Sequence, residues 1–495
     1  MIEVLSVENM RKSDAATILG GIPGRELMLR AGMAVYNSVD WKAPVAVVCG
    51  VGNNGGDGYV IAGLLKDNGI ECTLVLTQER FSEDGKYYFD KCQEKGIPYR
   101  LIEETESLSG FNTIVDCILG TGFKGEASGN AKTAIEKIND AEAYVVSVDI
   151  NSGLNGDSGM CGGVCVHSDL TVSVGSFKPG LFLNMAKDVM KEKINCDIGI
   201  SPVDKPYHLI EKADIARYFG PRPNFSNKGT YGYTAIIGGS KKYSGALRLA
   251  AMANAAMRAG AGVVKAGVPA SLYHDLLPLI LESTLFPITD DDGEMVFVKE
   301  EIDSLISNVK TAAFGMGIGV SAETGKILEY LLENFSGTLI VDADGLTLLS
   351  KLDREKIRTK KCRLVLTPHI KEFERLSGHE KNEILEHSID LACEYAVDIK
   401  AVVLLKGPST IVTDGTNVDI VDAGCAGMAT AGSGDVLSGI LSATCAYIPD
   451  TLTAVAAGAF INGKSGEAAQ KKVNSVSMIA RDTVAEIAGV ISDFS

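Results

Sequence analysis

Short apolar runs that end in glycine-rich loops recur along this chain, and few folds accommodate that junction. Val45-Ala46-Val47-Val48-Cys49 is apolar at every position and enters Gly50-Val51-Gly52-Asn53-Asn54-Gly55-Gly56-Asp57-Gly58. Helical spacing follows over Tyr59 to Lys66, and Cys72 to Leu76 reads as the next strand. Thr113 to Ile118 leads likewise into Leu119-Gly120-Thr121-Gly122-Phe123-Lys124-Gly125, and Tyr144 to Ile150 into Asn151-Ser152-Gly153. A run without polar alternation suits a strand covered on both faces, so the class is α/β with parallel sheets. Ligands of such sheets bind beyond the carboxyl ends of the strands, where these loops should converge. Residues 1 to about 40 read as helical, with Ser6 as a candidate cap, and are assigned to packing.

The first-half loops are rich in side-chain oxygen. Asn54, Asp116 and Ser152 could ligate one hard cation, with Asp149 beside the ligand. The same loop also suits phosphate on a helix start, ribose hydroxyls, or a tight turn with no ligand. Ser201 to Asn227 carries Pro202, Pro206, Pro221 and Pro223 among polar residues, and a domain boundary is placed there, near residue 212.

The alternation resumes with the strand Tyr233 to Ile237, the turn Gly238-Gly239-Ser240 and an Ala-rich helix over about Gly245 to Ala259. Strands then end at Gly315-Met316-Gly317, at Asp342-Ala343-Asp344, at Thr367-Pro368-His369 and at Lys406-Gly407-Pro408-Ser409-Thr410. A hairpin is expected around Asp414-Gly415. The last junction, Gly432-Ser433-Gly434-Asp435, opens a helix with Val436, Leu437, Ile440 and Leu441 at helical spacing. Backbone amides at such a start favour an anion, and Asp435 beside them is either a general base or a helix cap. His369 is either a site residue or a satisfied structural histidine.

The 495 residues carry a net charge of -16, which argues against nucleic-acid or anionic-membrane binding through a basic surface. No apolar run spans a bilayer and no signal peptide opens the chain, so a cytoplasmic protein with reduced cysteines is expected.

Three segments, Gly52 to Gly58, Asp116 with Gly120-Thr121-Gly122, and Val148 to Gly153, resemble in that order the NAD(P)H-hydrate epimerase domain. The resemblance implies a Rossmann-like three-layer α/β/α sandwich over 1–211. It implies that Asn53, Asn54, Gly55, Gly56 and Asp57 hold the substrate with Gly120, Thr121, Gly122, Phe123, Lys124, Gly125, Glu126 and Asp149. It also implies K+ (potassium) on Asn54, Asp116 and Ser152, and an acid–base role for Asp149. Asn151 stands where that family usually has proline.

Lys228 to Gly232, Asp342-Ala343-Asp344, Thr367-Pro368-His369, Lys406 to Thr410 and Gly427 to Asp435 resemble the ribokinase-like superfamily, and more closely its NAD(P)H-hydrate dehydratase branch. That implies a ribokinase-like α/β domain over 212–495. Gly317, His369 and Asp435 would contact the hydrated substrate, with Asp435 catalytic. Lys406, Gly407, Pro408, Ser409, Thr410, Gly432, Ser433 and Gly434 would bind the nucleotide, with Mg2+ on its phosphates. The whole chain thus resembles the bifunctional NAD(P)H-hydrate repair enzymes. These epimerise R and S NADHX and NADPHX, and dehydrate the S form as ADP becomes AMP and phosphate. A cytoplasmic homo-oligomer is expected. The rival reading is a small-molecule kinase using ATP, which shares Asp435 but has no use for the Asn53 to Asp57 loop.

Overall fold

The two blocks of strand-and-helix alternation form two sheets in a computed structural model, which describes residues 1–252 and 255–494. The chain divides into two compact units, one of Glu3–Tyr207 and one running from His208 onward together with Met1–Ile2. The division falls just ahead of residue 212.

The first unit is built on β1 (Val45–Cys49), β2 (Cys72–Leu76), β3 (Tyr99–Leu101), β4 (Thr113–Cys117), β5 (Tyr144–Val148), β6 (Ser168–Val174) and β7 (Met190–Cys196). All pair in parallel, in the order β3-β2-β1-β4-β5-β6-β7. Side chains alternate across a strand, so each apolar run feeds two cores. Val45, Val47 and Cys49 join Val115 and Val146 on one face, while Ala46 and Val48 join Ile114 and Val145 on the other. Each valine or isoleucine among them contributes about 1.5–3 kcal/mol when fully buried. The winding reverses between β1 and β4, which opens a crevice beyond their carboxyl ends.

Two expectations change here. The first 40 residues hold α1 (Val7–Leu19) and α2 (Gly24–Asn37), separated by Gly20, Gly21 and Pro23, with a short strand Ile2–Val4 ahead of them. Ser6 does cap α1, its Oγ accepting from the Asn9 amide at 3.1 Å. The helix expected from Tyr59 starts earlier, as α3 (Asn53–Asp67), so the Asn-Asn-Gly-Gly-Asp segment is its first turn. Glycine makes that possible, because a Cβ on Gly55 would lie 2.1 Å from the Gly50 carbonyl oxygen.

The sheet of the second unit is built on β8 (Tyr233–Ile237), β9 (Val263–Pro269), β10 (Thr284–Ile288), β11 (Thr311–Phe314), β12 (Thr338–Val341), β13 (Arg363–Leu366), β14 (Ala401–Leu405), β15 (Thr410–Thr413) and β16 (Val418–Val421). Their order is β16-β15-β14-β13-β12-β11-β8-β9-β10. Strands β14 to β10 of that row run parallel, and β15 with β16 forms the expected antiparallel hairpin. Winding reverses between β8 and β11. The Ala-rich segment is not one long helix. It runs as Ser244–Leu247, a wider turn Arg248–Met252 and Ala255–Arg258, and Ala253 and Asn254 lie outside the described residues. Later helices, α4 (Ile370–Ser377), α5 (Ser433–Tyr447) and α6 (Thr451–Val473), complete the elements used below. No helix among the described residues is long and apolar enough to cross a membrane.

Candidate functional site

In the first unit Asp116, at the end of β4, ties the loops together. Its buried carboxylate accepts from Ser147 Oγ at 2.9 Å, the Ser152 amide at 2.9 Å, the Ile118 amide at 3.2 Å and Ser152 Oγ. Ser152 Oγ also accepts from the Leu119 amide at 2.8 Å. Burial pushes the Asp116 carboxyl up, against the pull of these four donors. Asn54, in the first turn of α3, is buried with both Oδ1 and Nδ2 lacking a hydrogen-bond partner. A Cβ on Gly120 would lie 3.3 Å from Asn54 Cβ, so this amide abuts the Gly-Thr-Gly loop. An orphaned amide oxygen and a buried carboxylate satisfied only by hydroxyls and amides fit a hard cation with oxygen ligands.

Asn151 explains how the turn forms without the usual proline. Its side chain is fully buried, and Nδ2 donates to the Val166 carbonyl at 2.8 Å, Ser168 Oγ at 3.0 Å and the Val189 carbonyl at 3.0 Å. Thr171 Oγ1 donates back to Asn151 Oδ1 at 2.6 Å. Those four bonds pin the backbone that presents Ser152.

A cavity of about 620 Å3 opens beside these loops, lined by Asn53, Asn54, Asp57, Gly120, Thr121, Gly122, Phe123 and Asp149 among others. Gly55 and Gly56 are buried in α3 and serve its packing, while Lys124, Gly125 and Glu126 are exposed outside the lining. Three charged lining residues escaped the sequence reading, Asp14, Asp84 and Lys178. Lys178 is 1% exposed, yet its ammonium pairs with Asp149 Oδ1 and donates to the Val174 carbonyl at 2.8 Å and Ser173 Oγ at 3.3 Å. Asp149 itself holds a left-handed backbone, with φ of 67°. Burial pushes Asp14 up to about 6, with Lys178 pulling it down and Asp149 pushing it up. Burial also pushes Asp57 well up, helped by Asp149 and Asp14. A usable signal existed for Asp14: on α1 it lies between Met10 and Ile18 at helical spacing, and both of those line the same cavity. Lys178 carried a weaker one, a lone cation amid the apolar stretch from Phe177 to Leu183.

In the second unit Asp435 stands in the first turn of α5, capped by Gly432 at φ 93°. Beside it Asp342, at the end of β12 and 2% exposed, accepts from Lys406 Nζ at 3.1 Å and from Ser438 Oγ at 2.8 Å. A Cβ on Gly434 would lie 3.5 Å from Asp342 Oδ2 and 3.6 Å from Lys406 Nζ, which sets this pair against the helix start. Burial pushes Asp435 up to about 7, with Asp342 adding, Lys406 opposing and Asp344 adding. The Ser433 amide already reaches the Thr430 carbonyl at 3.4 Å, so the amides offered to an anion begin at Gly434. Ser433 Oγ is buried without a partner.

His369 caps α4, its Nδ1 accepting from the Glu372 amide at 3.2 Å while Glu372 Oε2 accepts from the His369 amide at 2.8 Å. The ring is half exposed, and burial lowers its pKa with Glu372 opposing. The structural role is therefore real, and a ring face remains open. Gly317, at φ 62°, packs against Tyr243, where a Cβ would lie 2.7 Å from Tyr243 Cβ. Of the Lys406 loop, Gly407 and Pro408 are exposed, Ser409 Oγ is turned inward to Asp422 Oδ1 at 2.7 Å, and Thr410 opens β15.

Residues 234–488 match the family model described as NAD(P)H-hydrate dehydratase, and residues 24–180 match the one described as YjeF-related protein N-terminus. The bifunctional NAD(P)H-hydrate repair enzyme Nnr of Moorella thermoacetica is 33% identical, over 93% of this chain and 91% of its own. The protein of the same description from Escherichia coli is 32% identical, over 97% and 92%. The ADP/ATP-dependent NAD(P)H-hydrate dehydratase of Bacillus subtilis, co-crystallized with ATP/Mg2+, superposes with a TM-score of 0.51 at 22% identity, over 58% of this chain and 99% of that one. A ribokinase-like superfamily protein of Enterococcus faecalis superposes with a TM-score of 0.51 at 20% identity, over 58% and 96%. Both structural likenesses are likenesses of fold.

Proposed function

This chain belongs to the family of bifunctional NAD(P)H-hydrate repair enzymes, an epimerase joined to a dehydratase, and on that premise we propose how its residues share the repair. The damage is water added across the C5–C6 bond of the nicotinamide ring of NADH or NADPH. The first domain, 1–211, interconverts the R and S hydrates in the cleft that holds Asp149. The second, 212–495, dehydrates the S form with a nucleotide, ADP giving AMP and phosphate. The observation that carries this division is that each unit has its own acid at a strand-end cleft, Asp149 paired with Lys178 in one and Asp435 at a helix start in the other. A kinase that releases a stable phosphate ester would need only the second.

In the dehydratase, Asp435 takes the proton of the C6 hydroxyl as that oxygen attacks the β-phosphate of ADP. The amides of Gly434 and Asp435 hold the developing charge, and Lys406 sits close enough to share it. Hydroxide leaves poorly and phosphate leaves well. The ring nitrogen then expels phosphate, C5 loses a proton, and the double bond returns. Mg2+ would neutralise charge on the nucleotide phosphates and be held chiefly by them. Among the described residues, no group of three or more His, Cys, Asp or Glu could hold a metal ion.

In the epimerase, Asp149 serves as acid or base while the ring opens and recloses at C6. Asn54, Asp116 and Ser152 would hold potassium, which supplies a fixed positive charge beside the substrate loops. Exchange of the hydrates should therefore rise with K+ concentration. Asn54→Leu should raise the K+ needed at least about tenfold, read from a K+ titration at constant ionic strength. An identical titration for the variant would remove Asn54 from the ligand set.

The central test mixes full-length protein with NADH hydrate and ADP or ATP and follows the absorbance of reduced nicotinamide. The wild type should restore both hydrates. Asp149→Asn should restore the S form normally, while R-to-S exchange slows about a hundredfold by chromatography. No recovery with either nucleotide would reject the repair function, and normal exchange in the variant would reject the role of Asp149.

A further inference from the structure

We propose that Asp14 is a second acid–base residue of the epimerase cleft, working with Asp149 on the same hydrate. The proposal rests on the epimerase reading of the first unit. Helix α1 turns Met10, Asp14 and Ile18 into the cavity lining, so an acid interrupts an otherwise apolar stripe on the face that meets the ligand space. Asp149 lines the same cavity, and so does Asp57 from α3. Among the described residues of that lining Lys178 is the one cation, and it is already committed to Asp149, Ser173 and the Val174 carbonyl. Asp84, also in the lining, is answered at 3.0 Å by Arg25 from α2. One ammonium thus faces the carboxyls of Asp14, Asp57 and Asp149, which favours a proton on one of the other two.

Asp14 is the better proton carrier. Burial pushes both carboxyls up, and Asp14, at about 6, exchanges its proton close to neutrality. Asp14 is also partly open to the cavity and has no amide or hydroxyl donor holding it ionised.

Opening the hydrate needs proton transfer at two atoms. Asp149, as a carboxylate beside Lys178, takes the proton of the C6 hydroxyl. The C6–N1 bond breaks, its electron pair goes to N1, and C6 becomes an aldehyde carbon. Asp14, as a carboxylic acid, gives its proton to N1. After rotation about C5–C6 the N1 pair attacks the other face of the carbonyl, Asp14 takes back the N1 proton, and Asp149 returns its proton to the oxygen. The sum is R to S, with both side chains restored and no other reactant used.

The test follows R-to-S exchange of NADH hydrate by the full-length protein with nucleotide left out, so that the dehydratase is idle. Asp14→Asn should lower kcat about a hundredfold with KM within about threefold, and Asp14→Glu should recover part of the loss. Wild-type exchange should fall as pH rises past about 6, where Asp14 loses the proton it must donate, and Asp14→Asn should lack that inflection. The groups facing Asp14 in this profile are Asp149, Lys178 and Asp57, with the Arg25–Asp84 pair in the same cleft. Asp14→Asn with the wild-type kcat and pH profile overturns the proposal. So does a loss that Asp14→Glu does not relieve and that comes with a lowered melting temperature, the mark of a packing role. Absence of exchange in the wild type would instead overturn the epimerase reading beneath it.

Discussion

Asp435→Asn should abolish nucleotide-dependent dehydration of the S hydrate, lowering kcat/KM about 10³- to 10⁴-fold while nucleotide affinity stays within about threefold. The replacement keeps the shape of the side chain at the start of α5 and removes only its capacity to take a proton. A helix-cap role predicts something different, since an amide caps about as well as a carboxylate and activity would survive. The pH profile separates the two further. Burial and the neighbouring Asp342 push Asp435 up to about 7, and a base works only when ionised. Wild-type kcat/KM should therefore fall about tenfold per unit as pH drops below about 7, with a plateau above. Its sign is opposite to that of the epimerase profile, in which Asp14 must be protonated, so one preparation assayed with and without nucleotide should give limbs that slope in opposite directions. From about pH 5 to about pH 9, absorbance with nucleotide reads the dehydratase limb and chromatography of the hydrates without nucleotide reads the epimerase limb. Retention of more than about a tenth of the wild-type rate in Asp435→Asn would remove the residue from the proton transfer.

The parallel strands were legible because burial on both faces leaves no polar alternation: Val45–Cys49, Cys72–Leu76, Arg363–Leu366 and Ala401–Leu405 lie where their apolar runs place them. The start of α3 was not. Asn53 to Gly58 carries the residues of a loop, and only the close approach of Gly55 to the Gly50 carbonyl lets the segment coil against the strand end. That contact joins residues of different elements and leaves no periodic trace. The same holds for the partners of the acids. Asp149 and Asp435 were visible from their junctions, but the charges that face them come from afar: Lys178 from beyond β6, Asp342 from the end of β12, Lys406 from the end of β14. Ser409 shows a partner of the same kind, its loop hydroxyl donating to Asp422 at 2.7 Å, a contact with no trace in the sequence. Asn151 shows how a departure from a family habit is absorbed, with four side-chain hydrogen bonds replacing the stiffness of proline.

Lys406→Met should destabilise the second unit by about 3–5 kcal/mol and lower its melting temperature by about 10 °C. Methionine keeps the length and apolar stem of lysine, so the loss is chiefly that of the charge. Asp342 is 2% exposed, and beyond Lys406 Nζ at 3.1 Å its carboxylate has the hydroxyl of Ser438 at 2.8 Å. A hydroxyl satisfies one lone pair but leaves the charge in place, and a buried uncompensated carboxylate is costly. Glu372, whose Oε2 lies 3.7 Å from Lys406 Nζ, loses the same partner. Two acids thus depend on one lysine that is itself 23% exposed, so some of the penalty is relieved by water and the lower end of the range is expected. Lys406→Arg separates charge from shape. It keeps the cation, and should recover most of the stability but little of the dehydratase rate, because a guanidinium fork does not fit the 3.6 Å space between Lys406 Nζ and the Gly434 position as an ammonium does. Calorimetry gives the melting shift, and R-to-S exchange without nucleotide, whose residues lie in the other unit, should stay near the wild-type rate. If Lys406→Met melts with the wild type, the lysine is not the counter-ion on which Asp342 depends. The helix start at Gly434 would then have to hold its anion through backbone amides alone.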